Sequence, residues 1–154
     1  MSGRSLTEAH AKLTGMVGRS GAVVRGEVTR TIIERFAIAA GDSGGGDAAP
    51  ELMLSSILEW GAGPPLAGLR EDGTGVGREG WLPLHGLRLM GGGQDLVLHA
   101  PVTDGLVFEA EPSLTSVTLK SGRGGEFLLL VVTTEFRASG GEPLVTCRET
   151  LIGR

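Results

Sequence analysis

Two aspartates in a glycine-rich loop are the side chains of this sequence best placed to do chemistry. Asp42 and Asp47 flank the glycines at 44–46 and follow a stretch with helical character. A carboxylate can act as a general base, and a loop held at a helix end is a common position for reactive groups. The alternatives are structural: Asp42 could accept hydrogen bonds from its own loop, and Asp47 could complement the positive end of a following helix.

An amphipathic helix positions this loop. Thr31 and Glu34 have the Thr-x-x-Glu spacing of a capping box, which predicts a helix start at this point. Gly41 follows the last apolar residue of the helix, where glycine most easily adopts the left-handed conformation that ends a helix. The apolar positions that share one face are Ile32, Ile33, Phe36, Ala37 and Ala40.

The residues after the loop predict a second helix and then a long connection. Residues 51–60 are apolar nearly all round, which is typical of an enclosed helix, and Pro50 suits its first turn. Residues 61–80 are rich in glycine and proline with hardly any periodicity, which predicts a flexible loop near a pocket mouth or a subunit boundary. A short N-terminal helix is expected over residues 5–16.

From Trp81 onward the pattern changes from helices to strands. Pro112 within one of the strands indicates a bulge or an edge position. Helices followed by long antiparallel strands predict an α+β domain over residues 21–154, with residues 1–20 as a helical extension. The expected strands are 22–28, 84–90 and 95–100 (joined as a hairpin across Gly91 to Gln94), 106–119, 126–138 and 143–152.

Composition excludes several classes of protein. A net charge of −4 without a Lys/Arg cluster disfavours a nonspecific nucleic-acid binder. The single cysteine, Cys147, allows no internal disulfide, and no group of His, Cys and Asp has metal-ligand spacing, so neither a metal nor another cofactor is expected. No signal peptide and no apolar run of about 18 residues is present, which favours a soluble cytoplasmic protein without a membrane partner.

Several stretches together resemble a known superfamily. Residues 35–42 read Arg-Phe-Ala-x-Ala-x-Gly-Asp, residues 83–86 read Pro-Leu-His-Gly, a turn spans 101–105, and long strands close the chain. These stretches resemble the MaoC-like hydratases and dehydratases of acyl thioesters, and more closely their N-terminal FAS1-like dehydratase domain. The resemblance implies a hot-dog fold, in which an antiparallel sheet wraps around a central apolar helix, here residues 51–60.

The resemblance also implies a chemistry, with one departure from the pattern. MaoC-like hydratases supply an Asp and a His from a Gly-Asp-x-Asn-Pro-x-His pattern. This chain matches at Gly41 and Asp42, but Asp47 stands where the histidine is expected. The imidazole that could titrate near neutral pH is therefore missing from the loop. His85 and His99 are each expected to be strand residues that pair across the sheet rather than bases.

The departure leads to one favoured function and two alternatives. The favoured one is a subunit of an acyl-thioester hydratase or dehydratase that forms the acyl pocket, with Met53, Ile57 and Trp60 in its wall, while a MaoC-like partner supplies the dyad. The substrate would be a (3R)-3-hydroxyacyl or 2-enoyl ester of coenzyme A or acyl carrier protein. The alternatives are a homodimeric hot-dog thioesterase or hydratase that uses Asp42, and a noncatalytic acyl-binding module.

A partner chain is also expected from the apolar pattern itself. The run from Leu128 to Val132 is apolar on both faces of a strand. One face can cover the central helix, and the other would need cover from a second subunit. The sequence thus favours a homodimer, or a heterodimer with the catalytic partner, over a monomer.

Overall fold

A five-stranded antiparallel sheet forms the body of the molecule. The computed structural model describes residues 6–42, 46–57, 66–69 and 79–154. The strand order is β1-β3-β4-β5-β2, so that β1 and β2 form the two edges. The strands are β1 (Val24–Glu27), β2 (Leu89–Leu98), β3 (Val107–Gly122), β4 (Gly125–Ala138) and β5 (Pro143–Gly153).

Within the described residues, three α-helices and one 3₁₀ turn accompany the sheet: α1 (Leu6–Thr14), α2 (Arg30–Ala40), α3 (Met53–Ser56) and the turn Leu66–Gly68. Alternate residues of β4 are buried from Leu128 to Phe136, and the residues between them are only half-buried. This pattern shows that one face of the sheet is covered. The α+β plan expected from the sequence is therefore confirmed. None of the described helices has the length and apolarity needed to span a bilayer.

The covered face carries two separate apolar clusters, which we call the α1 end and the α3 end. The α1 end joins Ala9 and Leu13 of α1 to Leu114, Leu128, Leu130, Val132 and Leu151 of the sheet and to Leu82 and Leu84. The α3 end joins Ile33 of α2 and Met53 and Leu54 of α3 to Val28, Val102, Phe108, Ala110, Phe136, Leu144, Val145 and Cys147. Buried Thr134 lies between them along β4.

The predicted hairpin before β3 is wrong. Residues 89–98 form one strand, β2, which pairs with β5 along its whole length. The register shifts between Gly91 and Gly93, so the glycines make a bulge within the strand instead of a turn between two strands. Gly93 has a φ of 133°, a conformation that L side chains rarely adopt. His85 consequently lies outside the sheet, in an exposed turn before β2.

The predicted capping box at Thr31 is also wrong. The N-cap of α2 is Thr29, whose side-chain oxygen accepts a hydrogen bond from the backbone N–H of Ile32. At the other end the prediction holds: Gly41 has a φ of 77°, and the N–H groups of Gly41 and Asp42 donate to carbonyls of the last helical turn.

The central helix is shorter than the sequence suggests. α3 is buried as expected, since Met53, Leu54 and Ser55 are all nearly inaccessible. It ends at Ser56, because Ile57 has an extended backbone with ψ of 115°. The remainder of the predicted helix, from residue 58 to Trp60, lies outside the described residues, as does most of the predicted 61–80 loop.

Candidate functional site

A largely apolar cavity of about 340 Å³ opens beside α3 at the end of the edge strand β2. It lies between the segment that leads into α3 and the segment that leaves β2. The polar side chains among its lining residues are those of Glu51 and His99. The full lining is Ala48, Ala49, Pro50, Glu51, Leu54, Leu98, His99, Ala100, Pro101, Val102 and Val145.

Backbone hydrogen bonds hold the two walls of this cavity together. The N–H of Ala49 donates to the carbonyl of Val102 at 2.7 Å, and Ala48 forms an isolated bridge with Thr103. Leu54, on the short helix that follows, is 2% exposed and belongs to both the core and the cavity lining. The end of the glycine-rich loop is thereby fixed against the chain that connects β2 to β3.

Asp47 is tied to this arrangement by an ion pair. Its Oδ1 accepts a hydrogen bond at 2.9 Å from Nη2 of Arg30, and its side chain is 90% exposed. The backbone N–H of Arg30 donates to Asp104 at 2.7 Å, so that Arg30 connects both carboxylates to the start of α2. The hydrogen bond and the charge of Asp47 raise the pKa of Arg30.

Asp42 occupies the first position after the helix-ending glycine. It is exposed, and its backbone N–H donates to Ala37 at 2.9 Å. Because Asp42 directly follows Gly41, it is held at the C-terminal end of α2. The catalytic roles predicted for Asp42 and Asp47 stay predictions.

The expected wall residues are distributed between the core and the undescribed part of the chain. Met53 is completely buried in the α3 end, and Ile57 is half-buried against the same cluster. The cavity lining draws instead on Leu54, between them in the sequence. Trp60 lies outside the described residues. The substrate-binding role of these three residues also stays a prediction.

Nothing in the sequence indicated that His99 would lie next to this cavity. It follows the last residue of β2, lines the cavity, and places Nε2 at 2.9 Å from Oγ1 of Thr146 on β5. Thr146 in turn donates to Oε2 of Glu135 on β4 at 2.9 Å. The ring is thus hydrogen-bonded across the sheet on its uncovered face, because the buried neighbours of Thr146 and Glu135 in the sequence, Val145 and Phe136, point to the covered face.

A second cavity, of about 470 Å³, lies near the other end of β2. Its lining comes from one continuous stretch, residues 79–90, which includes buried Glu79 and exposed His85. The two cavities thus flank the same edge strand. Across the part of the chain that the structure describes, no three His, Cys, Asp or Glu side chains come together in a way that could hold a metal ion.

Comparisons with known proteins show which solved structures share this fold. No protein-family model and no curated protein matches the sequence. Among solved structures, the ChsH1–ChsH2 complex of Mycobacterium tuberculosis matches 96% of this chain and 89% of its own, with a TM-score of 0.69 at 14% identity. The (R)-hydratase of A. caviae matches 88% and 94%, with a TM-score of 0.60 at 19% identity.

A further match carries the superfamily name expected from the sequence. The MaoC-like dehydratase of Rhodospirillum rubrum covers 88% of this chain and 90% of its own, with a TM-score of 0.56 at 18% identity. The chain has the hot-dog fold. The resemblance to MaoC-like proteins noted in the sequence is thus confirmed at the level of the fold.

Proposed function

We propose that this chain is a subunit of an acyl-thioester hydratase or dehydratase, which interconverts (3R)-3-hydroxyacyl and 2-enoyl esters of coenzyme A or acyl carrier protein. The observation that carries the proposal is the cavity beside α3, which adjoins the loop of Asp42 and Asp47 in a hot-dog fold. An (R)-hydratase and a MaoC-like dehydratase have the same fold over most of their length. Few polar groups in a mostly apolar cavity suit an acyl chain with one reactive end.

The proposal includes a second hot-dog chain at the edge strand β2. Within the described residues β2 is hydrogen-bonded only to β5, so its outer edge is open. Met90, Val97 and Leu98 of this strand are 40–51% exposed, and an open edge with apolar side chains is a template for pairing with another strand. A chain docked there would also border both cavities. Its identity is either a second copy or a MaoC-like subunit with the intact Asp/His pattern.

The favoured version, in which this chain forms only half of the active site, rests on the absence of a histidine from the glycine-rich loop. Asp47 stands at the position of the expected histidine and engages Arg30, which supports a structural role for its carboxylate. Asp42 would then be the only acid–base group that the loop contributes. In the favoured version this chain shapes the acyl pocket and the partner supplies the dyad.

One assay separates the favoured version from its alternatives. Crotonyl-CoA hydration is followed with the purified chain, with and without a MaoC-like partner, for wild type, Asp42→Ala and Asp47→Asn. Glu34→Ala, an exposed carboxylate change on α2, is the matched control. Activity that appears only with the partner supports the version in which this chain shapes the acyl pocket and the partner supplies the dyad.

The other outcomes are equally informative. Activity of the chain alone that vanishes in Asp42→Ala supports a self-sufficient homodimeric hydratase, and hydrolysis of the thioester in place of hydration identifies a thioesterase. Binding of the thioester without turnover in any combination indicates an acyl-binding module and contradicts the proposed enzyme.

A further inference from the structure

Two carboxylates near the cavity beside α3 are held by the same arginine. Nη2 of Arg30 lies 2.9 Å from Oδ1 of Asp47, and its Nε lies 4.0 Å from Oδ2 of Asp104. The backbone N–H of Arg30 also donates to Oδ1 of Asp104 at 2.7 Å. The side chain can face both carboxylates because the N–H donors of a guanidinium form a planar fork. Arg30 therefore joins the start of α2, the end of the glycine-rich loop and the turn before β3.

Each of these carboxylates lies next to one wall of the cavity. Asp47 immediately precedes residues 48–51, which we call the loop wall. Asp104 follows shortly after residues 98–102, which we call the strand wall. Arg30 is thus connected to one end of each wall.

The strand wall is fixed without the side chain of Arg30. Asp104 accepts from a backbone N–H at the start of α2, where a helix has unpaired donors and favours negative charge. The N–H of the next residue, Gly105, donates at 2.8 Å to the carbonyl of Val28, which is completely buried. These bonds would remain if the arginine side chain were shortened.

The loop wall has weaker attachments. Its N–H at Ala49 donates to the carbonyl of Val102 in the strand wall at 2.7 Å, but none of its four residues is fully buried. The chain becomes fully buried only at Met53, in α3. At the other end of the loop wall, the ion pair with Arg30 holds Asp47. The position of the loop wall therefore depends on this ion pair.

We propose that Arg30 is a positioning residue of the acyl-thioester site. Its side chain, through Asp47, holds the loop wall against the strand wall and keeps the cavity closed around a bound acyl chain. This inference rests on the proposed function. It also assigns a role to Asp47 at the position where MaoC-like hydratases have a histidine: the carboxylate anchors the wall, and the partner supplies the imidazole.

The first test is the affinity for nonreactive butyryl-CoA. An exposed ion pair shifts an equilibrium by about two- to fivefold, and the side chain of Asp47 is 90% exposed. Arg30→Gln should therefore weaken binding by about two- to fivefold, mainly through faster dissociation. Arg35→Gln, at an exposed arginine of the same helix, is the matched control and should bind like wild type. Wild-type affinity in Arg30→Gln overturns the inference.

An uncharged ligand separates positioning from direct attraction. If Arg30 attracted the phosphates of coenzyme A, its loss would weaken butyryl-CoA but not S-butyryl-N-acetylcysteamine, which carries no charge. Positioning of the wall predicts the same factor for both thioesters. A loss confined to butyryl-CoA overturns the inference.

The role of Asp47 is tested by a double-mutant cycle. Asp47→Asn should weaken binding by the same factor as Arg30→Gln, and the double variant should be no weaker than either, because both changes break one interaction. In the active enzyme, KM for crotonyl-CoA should rise by this factor while kcat is unchanged, as expected for uniform binding. Additive losses, or a fall in kcat with unchanged KM, would overturn the inference.

Hydrogen exchange tests the wall without any ligand. In Arg30→Gln the amide of Ala49 should exchange about two- to fivefold faster, because the loop wall separates more often from the strand wall. The amide of Gly105, in the turn that Asp104 holds, should exchange at the wild-type rate. An unchanged rate at Ala49 overturns the inference. Faster exchange at Ala49 in a chain that binds no thioester contradicts the proposed function but supports the role of Arg30 in the wall.

A disulfide between the walls provides a rescue. Ala48 and Thr103 are partners in an isolated antiparallel bridge, where Cα atoms are about 4.5–5.5 Å apart, within the range that a disulfide spans. In the background of Ala48→Cys with Thr103→Cys, Arg30→Gln should weaken butyryl-CoA binding when the cysteines are reduced and leave it unchanged when they are oxidised. A loss of the same size in the oxidised protein would show that Arg30 does not act through the wall.

Discussion

The two ends of the covered sheet face use the same strands for different purposes. At the α1 end, Leu114, Leu128 and Leu130 are completely buried beneath the N-terminal helix. At the α3 end, Leu54 and Val145 are just as well buried, yet they also line a cavity of about 340 Å³. Beside the α1 end the cavity of about 470 Å³ is lined by one stretch, residues 79–90, whereas the cavity at the α3 end is lined by the segment after the glycine-rich loop and by the segment that leaves β2.

The cavity at the α3 end is the one that adjoins the glycine-rich loop of Asp42 and Asp47. Helix α1 has nine residues and closes its end with Leu13, whereas α3 has only four residues and ends at Ser56. The segment that leads into α3 and the segment that leaves β2 form the walls of the cavity. We expect stability to depend on both ends but ligand binding to depend on the α3 end alone.

The largest effect is expected from a cavity-creating change at the α1 end. Leu130→Ala removes a completely buried side chain and should lower the free energy of unfolding by about 3 kcal/mol. Urea unfolding gives this value, and calorimetry with butyryl-CoA at a temperature where the variant is folded should give an unchanged affinity. A loss of affinity in the folded variant would contradict the separation of the two ends.

An intermediate effect is expected from filling the cavity at the α3 end. Ala48 is exposed and lines the cavity, so Ala48→Trp should obstruct it without disturbing the core. The affinity for butyryl-CoA should fall about tenfold or more, equivalent to about 1.4 kcal/mol, with little change in the urea midpoint. Ala22→Trp, at another exposed alanine outside the helices and strands, is the control and should bind like wild type.

The smallest effect concerns the start of α2. Thr29→Ala removes the cap and should cost about 0.5–1 kcal/mol, at the low end of the usual range because the N···O distance is 3.4 Å. Thr31→Ala, at the position that the sequence suggested, should change stability by less than about 0.5 kcal/mol because Thr31 is exposed. Chemical unfolding of both variants decides between the two caps, and a larger loss in Thr31→Ala would contradict this assignment.

The long strands could be predicted from the sequence because their pattern is local. β4 and β5 begin and end within one residue of the predicted bounds, and both are bounded by glycine or proline. The bulge or edge position expected at Pro112 is found only in part: β3 is an inner strand and its register shifts between Leu114 and Ser116, but β1 stops pairing before Pro112. Its carbonyl accepts from Gly21 beyond the last residue pair of β1, so its missing N–H lies where that ladder has ended.

The bulge in β2 could not be distinguished from a turn by sequence alone. Three glycines followed by Gln94 have the composition of a hairpin loop, and only the pairing with β5 shows that the strand continues. Likewise, Thr29 and Thr31 both lie near the predicted start of the helix, and which one caps it depends on where the backbone becomes helical.

The residues around His99 could not be predicted from the sequence either, because they depend on the register of strand pairing. Thr146 is 47 residues away from His99, and Glu135 is 11 residues from Thr146. The pairings of β5 with β2 and β4 determine which residues become neighbours. A one-residue slip would place different side chains beside the ring.

The most direct test of the account is to locate the bound acyl chain. A coenzyme A thioester whose acyl chain carries a diazirine is photolysed with the wild-type protein, and the modified peptides are identified by mass spectrometry. The account predicts adducts within residues 48–54 and 98–102, which are reduced by excess butyryl-CoA and by Ala48→Trp. Adducts confined to residues 79–90, or labelling that butyryl-CoA does not reduce, would contradict it.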